Sequence, residues 1–343
     1  MSTWKQLKNN ERLRGIYEKR LEIIKLIREF FWREGFVETE TPIAVALPGQ
    51  EPELSPVPVT LHDEKGGARQ FYLQTSPEFA MKKLLAAGFE KIFQICKCFR
   101  DRESFGGLHN PEFTMIEWYR ANATYKDIMD DAERLFQSVG GALDMRTVVW
   151  NGHSVDIAGA WDRKTMKQVW QEQVGVNFDD YLTQSAMVAL VRERGYTAVD
   201  DEQYEDAFYK IFLNEIEPKL GIERPVFLYE YPASMASLSR ACGHDPRYAE
   251  RFELYIGGLE LANAFGELTD AQEQKNRLEA DRAKREAAGK ATYPVDPDFI
   301  AALTAGIPQT GGIALGVDRM IMLFTGATDI NEVIFGSAQD QTG

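Results

Sequence analysis

The chain has 343 residues, 44% hydrophobic and 27% charged, enough for one large folded domain or two modest ones. Its formal net charge of −14 argues against general affinity for nucleic acid, because phosphate binding depends on clustered lysines and arginines that displace counterions. No stretch approaches the roughly 20 apolar residues of a membrane span, and charges run through residues 1–20 where a secretion signal needs an apolar core, so a cytoplasmic protein is expected.

Glu11 to Trp32 is predicted as an amphipathic helix, since Ile16, Ile23, Ile27, Phe30 and Phe31 recur near helical spacing and Gly35 closes the pattern. Pro48, Pro52, Pro56 and Pro58 exclude regular helix or central strand over Leu47 to Val59, leaving an ordered loop. A short strand at Phe71 to Gln74 leads through Thr75-Ser76-Pro77-Glu78 into a helix over Phe79 to Ala87, with Pro77 at a favoured early position. Lys91 to Phe99 and Glu112 to Tyr119 are rich in β-formers and flank a turn-rich loop holding Gly106, Gly107 and Asn110. In the first of these strands Cys96 and Cys98 alternate onto one face and are read as packing residues, their single-residue gap being wrong for a zinc knuckle.

Further on, 126–225 reads as a mainly helical insertion, with helices at Tyr125 to Val139, Lys164 to Gln173 and Glu202 to Leu220. Strands resume at Val226 to Tyr231 and Phe252 to Gly257. Asp270 to Lys290, charged on most faces, is expected to be a solvated covering helix. Gly311 to Met320 is a glycine-rich strand leading into a helix.

The most informative segment is Phe99-Arg100-Asp101-Arg102-Glu103 followed by His109-Asn110-Pro111-Glu112-Phe113-Thr114-Met115-Ile116-Glu117-Trp118-Tyr119. An arginine entering a loop between two strands suits a nucleotide phosphate and a carboxylate, because its planar fork bridges two oxygens. Alone, Phe99-Arg100 would be an ordinary charged turn. The string from His109 to Tyr119, however, resembles the second signature motif of the class II aminoacyl-tRNA synthetases, in their lysine branch. Gly35 to Pro42 resembles the first motif and Gly311 to Met320 the third, in the family's order. This resemblance implies an α+β fold, an antiparallel sheet flanked by helices, and a homodimer formed through the first-motif helix and Pro42.

It also implies site roles. Arg100 would contact the α-phosphate and the substrate carboxylate, Phe113 would stack under adenine and Arg319 would cover its other face, a use of guanidinium over a π-system with physical sense. Asp101, Arg102, Glu103, Asn110, Leu261 and Gly316 fall where the family meets ATP, and Glu260 where it holds Mg2+ and ATP. Arg100, Glu260 and Arg319 form the catalytic set. On the substrate side, Glu267 would receive the side-chain ammonium, Ser76, Pro77 and Glu78 would lie near the other amine, Glu117 and Tyr119 would orient the aliphatic chain, and Asn263 and Ala314 complete the pocket. Adenylation needs no side-chain nucleophile, so the enzyme's task is positioning and charge neutralisation.

The first motif begins within about one helix of Met1, so no anticodon-binding domain is expected ahead of a single catalytic domain spanning 1–343. The chain is most similar to the truncated lysyl-tRNA synthetase paralogues, the elongation factor P–(R)-β-lysine ligases, which implies (R)-β-lysine as substrate and elongation factor P as acceptor. Ala314 supports that branch: lysyl-tRNA synthetases have glycine there, and one methyl in a tight pocket discriminates by about 1–3 kcal/mol. Two other readings are kept: a minimal lysyl-tRNA synthetase-like enzyme charging RNA, disfavoured by the acidic charge, and a non-catalytic lysine-binding paralogue, disfavoured by the presence of Arg100, Arg319, Glu260 and Glu267.

Overall fold

Helical periodicity decides the first part of the chain. After α1 (Thr3–Asn9), Asn10 caps α2 (Glu11–Arg33) by accepting the Leu13 N–H at 3.2 Å, and Ile16, Arg20, Ile23, Ile27, Phe30 and Phe31 form its buried stripe. Gly35, at φ +79°, turns the chain into β1 (Val37–Glu38). Then come β2 (Ala44–Val45), β3 (Pro58–His62), β4 (Ala68–Leu73), α3 (Glu78–Ala86), β5 (Lys91–Phe99) and β6 (Glu112–Ala121). β2, β4 and β3 form a small antiparallel sheet in that order, and Pro58 opens an edge strand, the place where a missing N–H is tolerated.

The computed structural model describes residues 3–342 and divides into two compact units: the chain up to Thr124 together with Leu268 onward, and Tyr125 to Glu267. The second unit begins with α4 (Tyr125–Ala142), β7 (Thr147–Trp150), β8 (His153–Asp156), β9 (Asp162–Thr165), α5 (Met166–Gln173), α6 (Gln184–Glu193) and α7 (Tyr204–Ile211). It closes with β10 (Val226–Pro232), β11 (Tyr248–Ile256) and β12 (Leu259–Gly266). Its strands run β12-β11-β10-β9, antiparallel except for the β10/β9 pair. Trp170, Phe178, Phe208 and Phe212 stack into its helical core. The predicted helices of 126–225 are present, but so are α6 and the strands β7, β8 and β9, which the helical reading of that segment passed over. The β7–β8 hairpin turns on Asn151-Gly152, both with positive φ, which is the strongest short-range hairpin signal a sequence carries.

Returning to the first unit, the chain forms α8 (Ala271–Ala287), α9 (Pro297–Ala305), β13 (Thr310–Gly316), α10 (Val317–Thr325) and α11 (Ala338–Thr342). The strand order here is β1-β5-β6-β13, antiparallel except for β1/β5. Side-chain alternation sorts these strands into two faces. Phe93 and Trp118 lie on the face covered by α2, with the Phe31 ring 4.8 Å from Phe93 and 5.0 Å from Trp118. Phe113, Met115, Glu117 and Tyr119 take the other face. The charged helix α8 is more than a solvated cover: Arg285 is 2% exposed and donates to the carbonyls of Glu51 and Leu54, each at 2.7 Å, pinning the proline-rich loop. No helix among the described residues is long and apolar enough to cross a membrane.

Candidate active site

The open face of the first unit's sheet collects the predicted site residues Phe113, Glu117, Tyr119, Ala314 and Gly316 because paired residues in an antiparallel ladder share a face. Glu117 of β6 sits opposite Gln94 of β5 and Ala314 of β13, Tyr119 opposite Gly312, and Met115 opposite Gly316. Phe113, two residues before Met115, continues the row opposite Cys98. The Cys96 and Cys98 sulfurs do share this face, 3.8 Å apart, with Cys98 buried and Cys96 half-buried. The glycines of β13 leave backbone, rather than side chain, beside Tyr119 and Met115, as a strand approached by a ligand requires.

Arg100 leaves the end of β5 and places its guanidinium 5.0 Å from the centre of the Phe113 ring. Its Nε is a buried donor with no hydrogen-bond partner among the described residues. A buried cationic donor held this way is available to an incoming anion. After Arg100 the loop is pinned at several points: Arg100 N to Pro111 O at 2.9 Å, Asp101 N to Ser55 O at 2.7 Å, and Ile330 N to Gly107 O at 2.8 Å. Asp101 and Arg102 are exposed, Arg102 in a left-handed conformation at φ +65°.

The loop also carries a relay. Glu103 lies 2.9 Å from His109 Nδ1, and His109 Nε2 lies 3.3 Å from an Arg319 Nη. Burial and the neighbouring Arg319 lower the His109 pKa, so the imidazole is neutral, with Nδ1–H donating to Glu103 and Nε2 accepting from Arg319. His109 therefore shapes the loop and aims the third-motif arginine. Asn110 is 3% exposed; its amide donates to Glu112 O, and its Oδ1 accepts from Ala338 N at 3.1 Å, tying the loop to α11.

Acidic groups gather beside this cation. Glu117, 1% exposed, accepts the Ser76 hydroxyl at 2.7 Å and the Tyr119 hydroxyl at 2.8 Å. Burial, with Glu78 nearby, raises its pKa well above the carboxylate range. Ser76 Oγ also accepts the Glu78 N–H at 3.0 Å, fixing the entry to α3, where Pro77 stands at the cap rather than inside the helix. Glu78 pairs with Lys82 at 2.5 Å, one helical turn on. A pocket lined by Leu47, Gly49, Glu51, Ser76, Pro77 and Glu78 opens at this point. Glu51 keeps part of its surface open to it, yet burial, then Glu78, push its carboxyl up to about 7. A side chain at Gly49 would meet the tip of the Glu51 carboxylate, which would have to swing aside.

Glu51 and Lys82 were not singled out from sequence. Lys82 was legible as the i+4 partner of Glu78; Glu51 was hidden in a loop without periodicity. A third missed feature is structural. Arg20, 7% exposed on α2, donates to Asp318 at 2.5 Å, to Thr114 Oγ1 at 2.9 Å and to Val333 O at 3.1 Å, while Asp318 accepts the Thr114 N–H at 2.6 Å. One buried cluster therefore ties α2, the helix that runs into the first motif, to the second and third motifs, and Asp318 immediately precedes Arg319.

In the second unit, β12 brings Glu260 and Asn263 to one face. Three apart, they would face opposite ways in a regular strand. Leu261 is the extra residue of a bulge, since Glu260 pairs with Tyr255 and Ala262 with Leu254, and its side chain is buried. Asn263 accepts from Arg251 at 3.0 Å, Arg251 binds Glu253 at 2.6 Å, and Glu253 accepts the Tyr231 and Tyr255 hydroxyls. Glu260 is half-buried and Glu267 is 2% exposed. Backbone pairing of Ser239 with Glu267 and of Arg240 N to Gly266 O at 2.8 Å holds the end of β12. Gly266 leaves room for Glu250, which pairs with Arg240 at 2.7 Å; a Cβ at Gly266 would overlap that carboxylate.

A family model described as tRNA synthetases class II (D, K and N) matches residues 2–338. Three relatives are named elongation factor P–(R)-β-lysine ligase. The one from Edwardsiella ictaluri is 40% identical over 319 residues, 92% of this chain and 93% of its own. The one from Histophilus somni is 39% identical over 320 residues, covering 92% of each chain. The one from Haemophilus influenzae is 38% identical over 319 residues, 92% of this chain and 93% of its own. With α2 and the second and third motifs joined at one buried cluster and the family matched along nearly its whole length, the chain belongs to the class II tRNA synthetase family, and within it to the elongation factor P–(R)-β-lysine ligases.

Proposed function

We propose that this chain uses ATP to activate (R)-β-lysine as an aminoacyl-adenylate and transfers the β-lysyl group to the ε-amine of a lysine on elongation factor P. The observation that carries the reading is Arg100, whose buried Nε has no hydrogen-bond partner among the described residues while its guanidinium rests on Phe113 beside Glu51, Glu78 and Glu117. Such a site suits a molecule that presents carboxylate and phosphate oxygens to the arginine and ammonium groups to the acids. In the first step a substrate carboxylate oxygen attacks the α-phosphorus, the bond to the β-phosphate bridging oxygen breaks, and pyrophosphate leaves. In the second, the acceptor amine attacks the acyl carbon, AMP leaves, and the amine gives up a proton. That amine must arrive neutral although an unperturbed lysine has a pKa near ~10.4, so the docked acceptor has to be desolvated or deprotonated there.

On this reading Arg100 orients both reacting oxygens, and Arg319, steadied by His109, closes over the base stacked on Phe113. Glu260 offers the hard carboxylate oxygen that Mg2+ prefers, and the ion would neutralise the departing pyrophosphate. Glu267 and Glu78 each take an ammonium group, and Glu117 and Tyr119 orient the aliphatic chain. The exposed apolar residues Leu21, Trp32, Val37 and Ile43, on α2 and the segment after it, favour a homodimer built on the first motif. A cytoplasmic location follows from this role.

The test is the intact mass of unmodified elongation factor P after incubation with the protein, ATP, Mg2+ and (R)-β-lysine, with α-lysine in parallel. A gain of one lysyl unit, faster with the β-isomer, is expected. Adenylate formation without any mass gain would overturn the acceptor and direct attention to RNA.

A further inference from the structure

We propose that Glu230, Cys242 and His244, in the second unit, form a binding site for a zinc-class divalent cation. One carboxylate oxygen, the thiol sulfur and one imidazole nitrogen lie within 4.8 Å of one another, the one such group of three among the described residues. The donor set mixes O, S and N, which suits Zn2+ rather than Mg2+ or Ca2+.

The backbone is arranged to bring these donors together. Glu230 sits in β10 where Tyr229 pairs with Phe252 but Tyr231 pairs with Ala249, so Glu230 alone faces two residues of β11. It holds φ +62°, a left-handed conformation that a glutamate seldom adopts, and a bulge of this kind re-aims a side chain. Cys242 and His244 come from the loop before β11, which is anchored by the Ala241–Ala249 bridge and by Cys242 N to Tyr248 O at 2.8 Å.

The spacing fits a metal better than it fits an ion pair. His244 Nε2 lies 3.4 Å from Glu230 Oε1, longer than the roughly 2.7–2.9 Å of a charge-assisted hydrogen bond. Two ligands with bonds of 2.0–2.1 Å around a tetrahedral ion sit about 3.3 Å apart, and a sulfur and a nitrogen about 3.6 Å apart. The sulfur therefore has to close by at most about 1.2 Å, within reach of a side-chain adjustment. Glu230 is a 9%-exposed carboxylate that has no arginine or lysine ion pair among the described residues, and a cation would supply a counter-charge. Without a cation, burial, then Glu230 and Glu250, push the Cys242 thiol up to about 12, so a bound cation takes the sulfur as thiolate and the thiol proton leaves to water. Exposed His244 provides the entry side, and a water would complete four ligands.

A cation here would clamp the 236–247 loop to β10. Ser239 and Arg240 of that loop pair with Glu267 and Gly266, so occupancy would stiffen the wall that carries Glu267. The experiment is a Co2+ titration of chelator-stripped full-length protein in excess Mg2+, followed by displacement with Zn2+. Saturation at about one ion per chain, a thiolate-to-cobalt charge-transfer band, and at least about tenfold weaker binding in both Cys242→Ser and His244→Ala are expected. Because His244 is exposed, His244→Ala tests the site without disturbing the fold. No charge-transfer band, or unchanged binding in His244→Ala, would overturn the site.

Discussion

Asp318→Ala removes the acceptor at the centre of the Arg20, Thr114 and Asp318 cluster. Two hydrogen bonds are lost, from Arg20 at 2.5 Å and from Thr114 N at 2.6 Å, and the Arg20 guanidinium is left buried with only Thr114 Oγ1 and Val333 O. Breaking a buried pair from one side costs about 3–5 kcal/mol, most of it the stranded charge. With a urea m-value of about 2 kcal/mol/M, the midpoint should fall by about 1.5–2.5 M. The surface pair Arg12–Glu332 supplies the control: Arg12 is 55% exposed, and Arg12→Ala should cost no more than about 1 kcal/mol. Because the chain has two units, the loss should be read by hydrogen exchange on 112–121 and 310–316, whose strands lie beside the cluster. Arg20→Met combined with Asp318→Leu should recover part of the stability, since the apolar pair removes both charges together while the Thr114 N–H still loses its acceptor. ATP–pyrophosphate exchange should fall in Asp318→Ala, because Arg319 is the next residue. If Asp318→Ala costs no more than Arg12→Ala, the view that this cluster joins α2 to the second and third motifs is wrong.

Ala314 stands opposite Glu117 on the open face, so Ala314→Gly should move the ratio of kcat/KM for β-lysine over α-lysine toward α-lysine by about 1–3 kcal/mol; a change under about twofold would remove Ala314 from substrate selection. Glu51 is neutral below and charged above about 7, so affinity for the ammonium-bearing substrate should tighten from pH 6 to pH 8, and Glu51→Gln should flatten that profile. The same shift has a stability sign: a carboxyl raised from 4.5 to about 7 favours the folded state least once pH exceeds 7, so Glu51→Gln should stabilise at pH 8, by up to about 3 kcal/mol, and do little at pH 4. His109→Ala removes one of the contacts that hold Arg319 and the imidazole beside Glu103, so KM for ATP should rise by about tenfold, with little change in KM for β-lysine.

Much of the first unit was legible because it obeys simple periods. The α2 stripe follows the 3.6-residue repeat, and alternation in β6 places Phe113, Glu117 and Tyr119 on one face without tertiary information, whereas Ala314 joins them only through the β6/β13 register. Arg20 was hidden by the same rule that found its neighbours: a charged residue within an apolar stripe reads as surface until Asp318, 298 residues away, arrives to pair with it. The helical bias of 126–225 masked three short strands, although Asn151-Gly152 announced one hairpin.

The second unit shows where alternation fails. Strict period two separates Glu260 from Asn263 and gives neither a reason to act with the other. The bulge at Leu261 reverses the parity, and no glycine marks it: the register slips within Leu259-Glu260-Leu261-Ala262, ordinary strand residues. Glu230 repeats the pattern in β10, where a slip in register and a left-handed backbone place a carboxylate beside Cys242 and His244. At both places an irregularity in ladder pairing puts a carboxylate where regular alternation would not. A residue list can suggest the carboxylate, through resemblance at Glu260 and not at all at Glu230, but the parity that decides its neighbours comes only from the pairing of the folded strands.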